Sequence, residues 1–97
     1  MKLTREQAIE MFQYLPYQGI LRKQTKGTSR KPITTRFVHV NIDGKIYNIT
    51  TASIIWLYMT GEWHQYVQRH DNLERRKQKL PPVYTNNYWS NFTVKRG

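Results

Sequence analysis

The sequence of 97 residues contains no cysteine and only six acidic residues. The absence of cysteine excludes disulfides, thiol catalysis and zinc sites built on cysteine, and it is typical of a reducing compartment. Six scattered carboxylates leave little material for carboxylate acid–base catalysis. No apolar run reaches the roughly 18–20 residues that a membrane-spanning helix needs, and residues 1–7 lack the apolar stretch of a signal peptide. We therefore expect a cytoplasmic protein without a membrane partner.

The basic residues are, by contrast, abundant. Sixteen lysine and arginine side chains give a formal net charge of +10 and a pI near 10.2. Such an excess favours polyanionic partners, either nucleic acid or an acidic protein surface. Residues 20–42 contain no acid at all. Because a face that serves only solubility usually interleaves both signs of charge, this stretch predicts a phosphate-binding surface, with a merely solvated face as the alternative.

Two basic clusters are the predicted nucleic-acid contacts. The first covers the acid-free stretch and the start of the following strand, and the second lies within residues 62–82. Their members are Arg22, Lys23, Lys26, Arg30, Lys31, Arg36 and Lys45 in the first, and Arg75, Arg76, Lys77 and Lys79 in the second. Any exposed ring among Tyr14, Tyr17, Tyr84 and Tyr88 could stack on bases.

Length predicts one domain over residues 1–97. Its segments, in chain order, are an N-terminal helix at 4–15, a basic strand and loop at 19–36, a hairpin at 36–50, a core helix at 51–60, a basic segment at 62–82 and an aromatic tail at 83–97. Together they predict an α+β fold in which a small antiparallel sheet packs on helices.

Local patterns set these boundaries. Thr4 and Gln7 form a capping-box pattern, and Pro16 ends the first helix. Asp43-Gly44 separates two runs of alternating apolar residues, which is a strong hairpin signal. The helix at 51–60 is apolar nearly all round, so we expect it at the centre of the core, built around Trp56. Helical spacing of apolar residues from Trp63 to Leu73 predicts a further helix within residues 62–79.

Several motifs occur in a fixed order along the chain. They are Ile42-Asp43-Gly44-Lys45-Ile46-Tyr47, Thr60-Gly61-Glu62-Trp63 and Asn87-Tyr88-Trp89-Ser90-Asn91-Phe92, with Tyr14, Gly19, Leu21, Trp56, His70 and Asn72. This set resembles the small HNH endonucleases of bacteriophages, many of them homing enzymes, and it spans most of the chain. The resemblance implies an HNH-like C-terminal part and a preference for DNA over RNA.

The chain departs from that family at its chemistry. By resemblance, His70 stands at the general base and Asn91 at the central asparagine that orients it. Arg69, however, stands where the family has a metal-binding aspartate, and a cation there repels a metal ion. Ala52 replaces a histidine of the preceding helix, residues 73–82 are extra, and only six residues follow Asn91, where the family has a closing metal-binding helix.

We therefore expect a degenerate HNH relative, with His70 and Asn91 as vestigial positions and with no catalytic residue, metal, cofactor or small-molecule substrate. The predicted function is a non-catalytic nucleic-acid-binding protein encoded by a phage and acting in the host cytoplasm. The alternative is a phage inhibitor that binds a host protein, such as a defence nuclease or a polymerase, and blocks its nucleic-acid path. Residual metal-dependent nuclease activity is a third possibility.

Overall fold

The computed structural model describes residues 3–24 and 31–94. Its elements, in chain order, are α1 Arg5–Met11, β1 Phe12–Leu15, β2 Ile20–Lys23, β3 Phe37–Ile42, β4 Lys45–Thr50, α2 Thr51–Thr60, β5 Val67–Arg69, α3 His70–Lys77, a 3-10 turn Trp89–Asn91 and β6 Phe92–Val94. The predicted α+β class is confirmed. The strands form three antiparallel pairs, β1–β2, β3–β4 and β5–β6, where we had expected a single sheet. Across the described residues, no helix is both long and apolar enough to cross a membrane.

The first helix begins as predicted but ends early. The Thr4 hydroxyl accepts a hydrogen bond from the Gln7 N–H at 3.1 Å, and the Gln7 side chain accepts one from the Thr4 N–H at 2.9 Å. The predicted end at residue 15 is wrong, because the chain leaves the helix after Met11 and continues as β1. The Gln24 side-chain amide donates to the carbonyls of Ile9 and Phe12, both at 2.8 Å, and so satisfies acceptors at the helix end.

The hairpin of β3 and β4 is confirmed, with Asp43-Gly44 at its tip. Asp43 has φ 52° and Gly44 has φ 82°, so both turn residues are left-handed as a two-residue hairpin of this type requires. The Asn41 side chain accepts a hydrogen bond from the Gly44 N–H at 3.1 Å. Val38 and Val40 of β3 are buried while their neighbours are exposed, which fixes one face of the hairpin on the core.

Helix α2 forms the centre of the core, as predicted. Ile54, Ile55 and Leu57 are fully enclosed, and Gly61 ends the helix in the left-handed conformation with its N–H donating to the Leu57 carbonyl at 2.8 Å. Trp56 is only half-buried, at the edge of the core, where its ring lies 5.1 Å from that of Trp89. The core is thus built on the aliphatic residues of α2, and the expectation that Trp56 lies at its centre is wrong.

The basic segment contains a strand and a helix where periodicity predicted one helix. Residues 67–69 form β5, which pairs with β6 through Val67↔Val94 and Arg69↔Phe92. Only His70–Lys77 is helical. Strand β5 is specified by a partner in the tail of the chain, and local spacing of apolar residues carries no information about that partner.

Gly44 tests the hairpin tip. A Cβ at this position would meet no atom within 4 Å, so the cost of substitution is conformational only. We expect Gly44→Val to lower the free energy of unfolding by about 1–2 kcal/mol, the cost of a left-handed L-residue, as measured by urea denaturation. Gly44→Asn should cost less, because asparagine tolerates this conformation. Equal stability of the Val variant and the parent would contradict the turn geometry.

Candidate nucleic-acid interface

Arg69, the last residue of β5, is a buried cation. Its side chain is 4% exposed. Nη1 donates to the Asn86 carbonyl at 2.8 Å and to Asn87 Oδ1 at 2.6 Å, and Nη2 donates to Thr51 Oγ1 at 3.1 Å. All three acceptors are uncharged, and no carboxylate of the described residues lies in ion-pair contact with the guanidinium.

The charge on Arg69 survives this burial. Desolvation lowers the pKa of the guanidinium below its ordinary value, and the negative charge of Asp71 opposes that shift. Because arginine remains protonated in proteins, a positive charge stays inside the fold without an anionic partner in direct contact. Burial also raises the pKa of the nearby Tyr14 phenol, while the charge of Arg69 opposes that rise.

The acceptors of Arg69 connect distant parts of the chain. Asn87 accepts from the Tyr14 hydroxyl through its carbonyl at 2.6 Å and donates to the Ile33 carbonyl at 3.1 Å. The Thr51 hydroxyl donates to the carbonyls of Thr35 and Arg36, at 3.1 and 3.2 Å. One guanidinium therefore links β5, the start of α2, the tail and the segment before β3.

A cleft of about 1060 Å³ is lined by residues of the β3–β4 hairpin, the start of α2, the segment 63–69, α3 and the turn that follows α3. Among the described residues, four cationic side chains line it and no acidic side chain does. The cations are Arg36, Arg69, Arg76 and Lys79; the other polar and aromatic lining includes Asn48, Gln65, Gln68, Asn72, Phe37, Trp63, Tyr66 and Tyr84. A concave surface with one sign of charge focuses the electrostatic potential on an anionic ligand.

Arg36 is held at the cleft by its backbone and by ring contacts. Its carbonyl accepts from the Thr51 N–H at 2.9 Å. Its guanidinium carbon lies 5.1 Å from the centre of the Phe37 ring and 5.9 Å from that of Tyr84. Arg69 lies 5.7 Å from the same Tyr84 ring. Tyr84 thus contacts two cations at distances typical of cation–π attraction.

Lys79, which also lines the cleft, has a strained backbone. Its φ is 57°, and the Leu80 N–H donates to the Arg75 carbonyl at 2.9 Å, which closes α3 in the manner usual for a glycine. A left-handed L-residue costs about 1–2 kcal/mol. Strain of this kind is common at functional sites, and here it places a lysine beside the cleft.

The remaining predicted contacts lie elsewhere. Arg75 donates to the Pro81 carbonyl at 2.6 Å and so holds the turn after α3, and Lys77 pairs with Glu74 at 3.4 Å. Arg22 donates to Gln13 Oε1 at 2.7 Å on the β1–β2 pair. Outside the cleft lining are also Lys23, Lys31 and Lys45, all exposed. Lys26 and Arg30 fall outside the described residues. The structure therefore brings Arg36 of the first cluster together with Arg76 and Lys79 of the second.

His70 and Asn91, the two positions matched by resemblance to the HNH family, share no hydrogen bond. Asn91 is buried; its Oδ1 accepts from the Asp71 N–H at 3.0 Å and its Nδ2 donates to Asp71 Oδ1 at 3.1 Å. His70 is exposed at the start of α3. Asn91 thus supports the first turn of this helix. Within residues 3–24 and 31–94, no group of three histidine or acidic side chains could hold a metal ion.

Sequence reasoning missed two features of the cleft. Arg69 was named in the sequence analysis only as the residue that stands where the HNH family has a metal-binding aspartate. No pattern in the neighbouring sequence indicates that its side chain is buried. Tyr66 was assigned to a helix face, although it is 75% exposed in the cleft. Of the tyrosines named as possible base contacts, Tyr84 lines the cleft, Tyr14 is buried, and Tyr17 and Tyr88 lie outside it.

No protein-family model matches the sequence, and no curated protein or solved structure is significantly similar to it. The function must therefore be argued from the cleft and its charges.

Arg69 tests the polar network. We expect Arg69→Met to lower the free energy of unfolding by about 3 kcal/mol or more, because each hydrogen bond from a charged donor contributes about 1.5–3 kcal/mol and three are lost. Removal of the buried charge stabilises the fold by itself. This gain offsets only part of the loss, because the guanidinium makes three hydrogen bonds in the parent. Arg76→Met, at an exposed site, should stay within about 0.5 kcal/mol of the parent. Urea denaturation measures both, and an equal midpoint for Arg69→Met and the parent would refute the role of Arg69.

Proposed function

We propose that this chain is a non-catalytic nucleic-acid-binding protein, with a preference for DNA, and that the cleft is its binding surface. The observation that carries the proposal is the lining of the cleft: Arg36, Arg69, Arg76 and Lys79 surround one space with no acid among them. Like charges held this close raise the free energy of the unbound protein, and a polyanion would offset that cost.

The start of α2 adds to the attraction for anions. Residues 50–53 line the cleft, and the Thr50 side chain accepts no hydrogen bond from the N–H groups at the start of the helix. Its hydroxyl donates to Ser53 Oγ at 2.7 Å. Uncapped backbone N–H groups at a helix start carry a partial positive charge. This charge has the same sign as the four basic side chains of the cleft.

The size of the cleft favours a chain of phosphates over one small anion. Pockets of about 300–1,000 Å³ enclose a whole drug-sized ligand, and this cleft has about 1060 Å³. A single phosphate would leave most of that space empty. Several linked phosphates could meet Arg36, Arg76 and Lys79 at the same time, since all three line the cleft.

Descent from an HNH nuclease and a phage origin belong to the same proposal. They are supported by the ordered motifs and by the position of Arg69, a cation where the family binds a metal ion. The alternative function, a phage inhibitor of a host protein, draws support from apolar side chains exposed outside the cleft, Tyr17 at 93% and Ile46 at 71%. Such side chains are common in protein interfaces.

Salt dependence tests the cleft as the interface. Each neutralised phosphate contributes about 0.7–0.9 to the slope of log K against log salt. We expect the double variant Arg36→Gln, Arg76→Gln to weaken binding to all sequences and to lower this slope by about 1.5. The pair Lys23→Gln, Lys45→Gln removes the same charge outside the cleft, so its effect should be clearly smaller. Fluorescence anisotropy with labelled DNA and RNA at several salt concentrations measures both.

Three outcomes count against the proposal. Equal effects of the two double variants would mean diffuse binding without the cleft. No binding to any nucleic acid at low salt would leave the inhibitor as the better explanation. Cleavage of the DNA with Mg²⁺, lost in His70→Ala, would contradict a non-catalytic protein.

A substitution of Lys79 separates the effect on nucleic-acid binding from the effect on the free energy of unfolding. We expect Lys79→Gly to weaken nucleic-acid binding and to leave the free energy of unfolding equal or about 1 kcal/mol higher, because glycine relieves the left-handed strain. The matched variant Lys77→Ala removes a charge outside the cleft and should affect binding less. Anisotropy and urea denaturation give the two quantities. Unchanged binding by Lys79→Gly would exclude this lysine from the interface.

A further inference from the structure

We infer, on the basis of the proposed function, that the cleft takes a single strand of nucleic acid. Its unpaired bases would stack on Tyr66 and Phe37, and its phosphates would meet Arg36, Arg76 and Lys79. The aromatic and cationic side chains share the same lining. A basic groove combined with accessible aromatic rings is the general pattern of proteins that bind single strands through stacking.

Tyr66 is the clearest stacking surface. Its side chain is 75% exposed although it lines a cleft, and it takes part in none of the ring–ring or cation–ring contacts between the described residues. Residues 63–66 lie between α2 and β5 and belong to neither. The ring face of Tyr66 is therefore available to a flat ligand.

Phe37 and Arg36 form a second surface. Phe37 is 42% exposed at the start of β3, with the Arg36 guanidinium 5.1 Å from its ring centre. Guanidinium planes and aromatic rings both stack on bases. Arg36 can thus contribute to stacking while its charge attracts the adjacent phosphate.

A duplex fits these surfaces poorly. In double-stranded DNA the bases stack on one another and offer only their edges in the grooves, so the rings of Tyr66 and Phe37 would have no base face to meet. The β3–β4 hairpin is a two-stranded ribbon of the kind that can enter a groove. Its tip carries Asp43, whose exposed carboxylate would be repelled by the flanking phosphates.

Three labelled ligands of equal length test this inference: an oligothymidylate, an abasic strand with the same phosphates, and a duplex. Charge alone would favour the duplex, which carries more phosphates. We expect the oligothymidylate to bind most tightly in anisotropy titrations and the abasic strand to bind about fivefold or more weakly, because stacking is lost while charge is kept. A uridine strand titrated in parallel shows whether the cleft binds single-stranded RNA or single-stranded DNA more tightly.

Variants assign the effect to the cleft. Tyr66→Ala should weaken oligothymidylate binding about fivefold or more and leave the abasic strand unaffected, whereas Tyr66→Phe should bind like the parent. Tyr17→Ala, at an exposed tyrosine outside the cleft, is the matched control and should change neither. Because both tyrosines are exposed, the variants should fold, which circular dichroism checks.

The outcomes separate this inference from the function on which it rests. Salt-dependent binding with equal or tighter affinity for the duplex, or an unchanged Tyr66→Ala titration, would overturn the single-strand inference and leave nucleic-acid binding intact. A loss of abasic binding in Tyr66→Ala equal to the loss for oligothymidylate would also overturn it. Absence of binding to all three ligands would defeat both proposals.

Discussion

The hydrogen bonds of the Arg69 guanidinium join β5 to the start of α2, which lines the cleft, and to the tail of the chain. Through Thr51 they reach the start of α2 and the segment before β3, and through Asn86 and Asn87 they reach the tail. None of these segments is adjacent to β5 in sequence. Because a buried charge without hydrogen bonds would cost several kcal/mol, the acceptors cannot move away independently. The position of Arg36, whose carbonyl bonds Thr51, follows from the same constraint.

The same burial of Arg69 bears on the proposed binding of a polyanion. Arg69 is buried among uncharged acceptors and near the rings of Tyr84 and Phe92, which attract a cation but do not neutralise it. Three further cations share the cleft without an acid beside them. An anion that binds only the folded state would stabilise it by mass action. The proposed polyanion would thereby offset the mutual repulsion of Arg36, Arg76 and Lys79, whereas Arg69 stabilises the fold through its hydrogen bonds.

The elements that the sequence predicted correctly are those determined by residues close together in the chain. The Asp43-Gly44 turn needs two left-handed residues, and α2 is apolar all round, so each could be read from a few neighbouring positions. The end of α1 depends on Gln24, and β5 depends on β6, so both required knowledge of distant partners. The same limit applies to the site. Arg36, Arg76 and Lys79 were predicted one by one as basic residues, but their convergence follows from the β5–β6 pairing and the network of Arg69.

The polar residues of the HNH-like motifs have structural partners that require no metal ion. Asn91 bonds the backbone and side chain of Asp71, Asn87 accepts from Arg69, and Asn72 both donates to and accepts from the backbone of Val83. Loss of any of these amides would leave backbone groups without partners, at about 1–3 kcal/mol each where they are buried. If the chain descends from a nuclease, as proposed, these asparagines would be retained for folding, while the exposed His70, which has no such partner among the described residues, would be free to change.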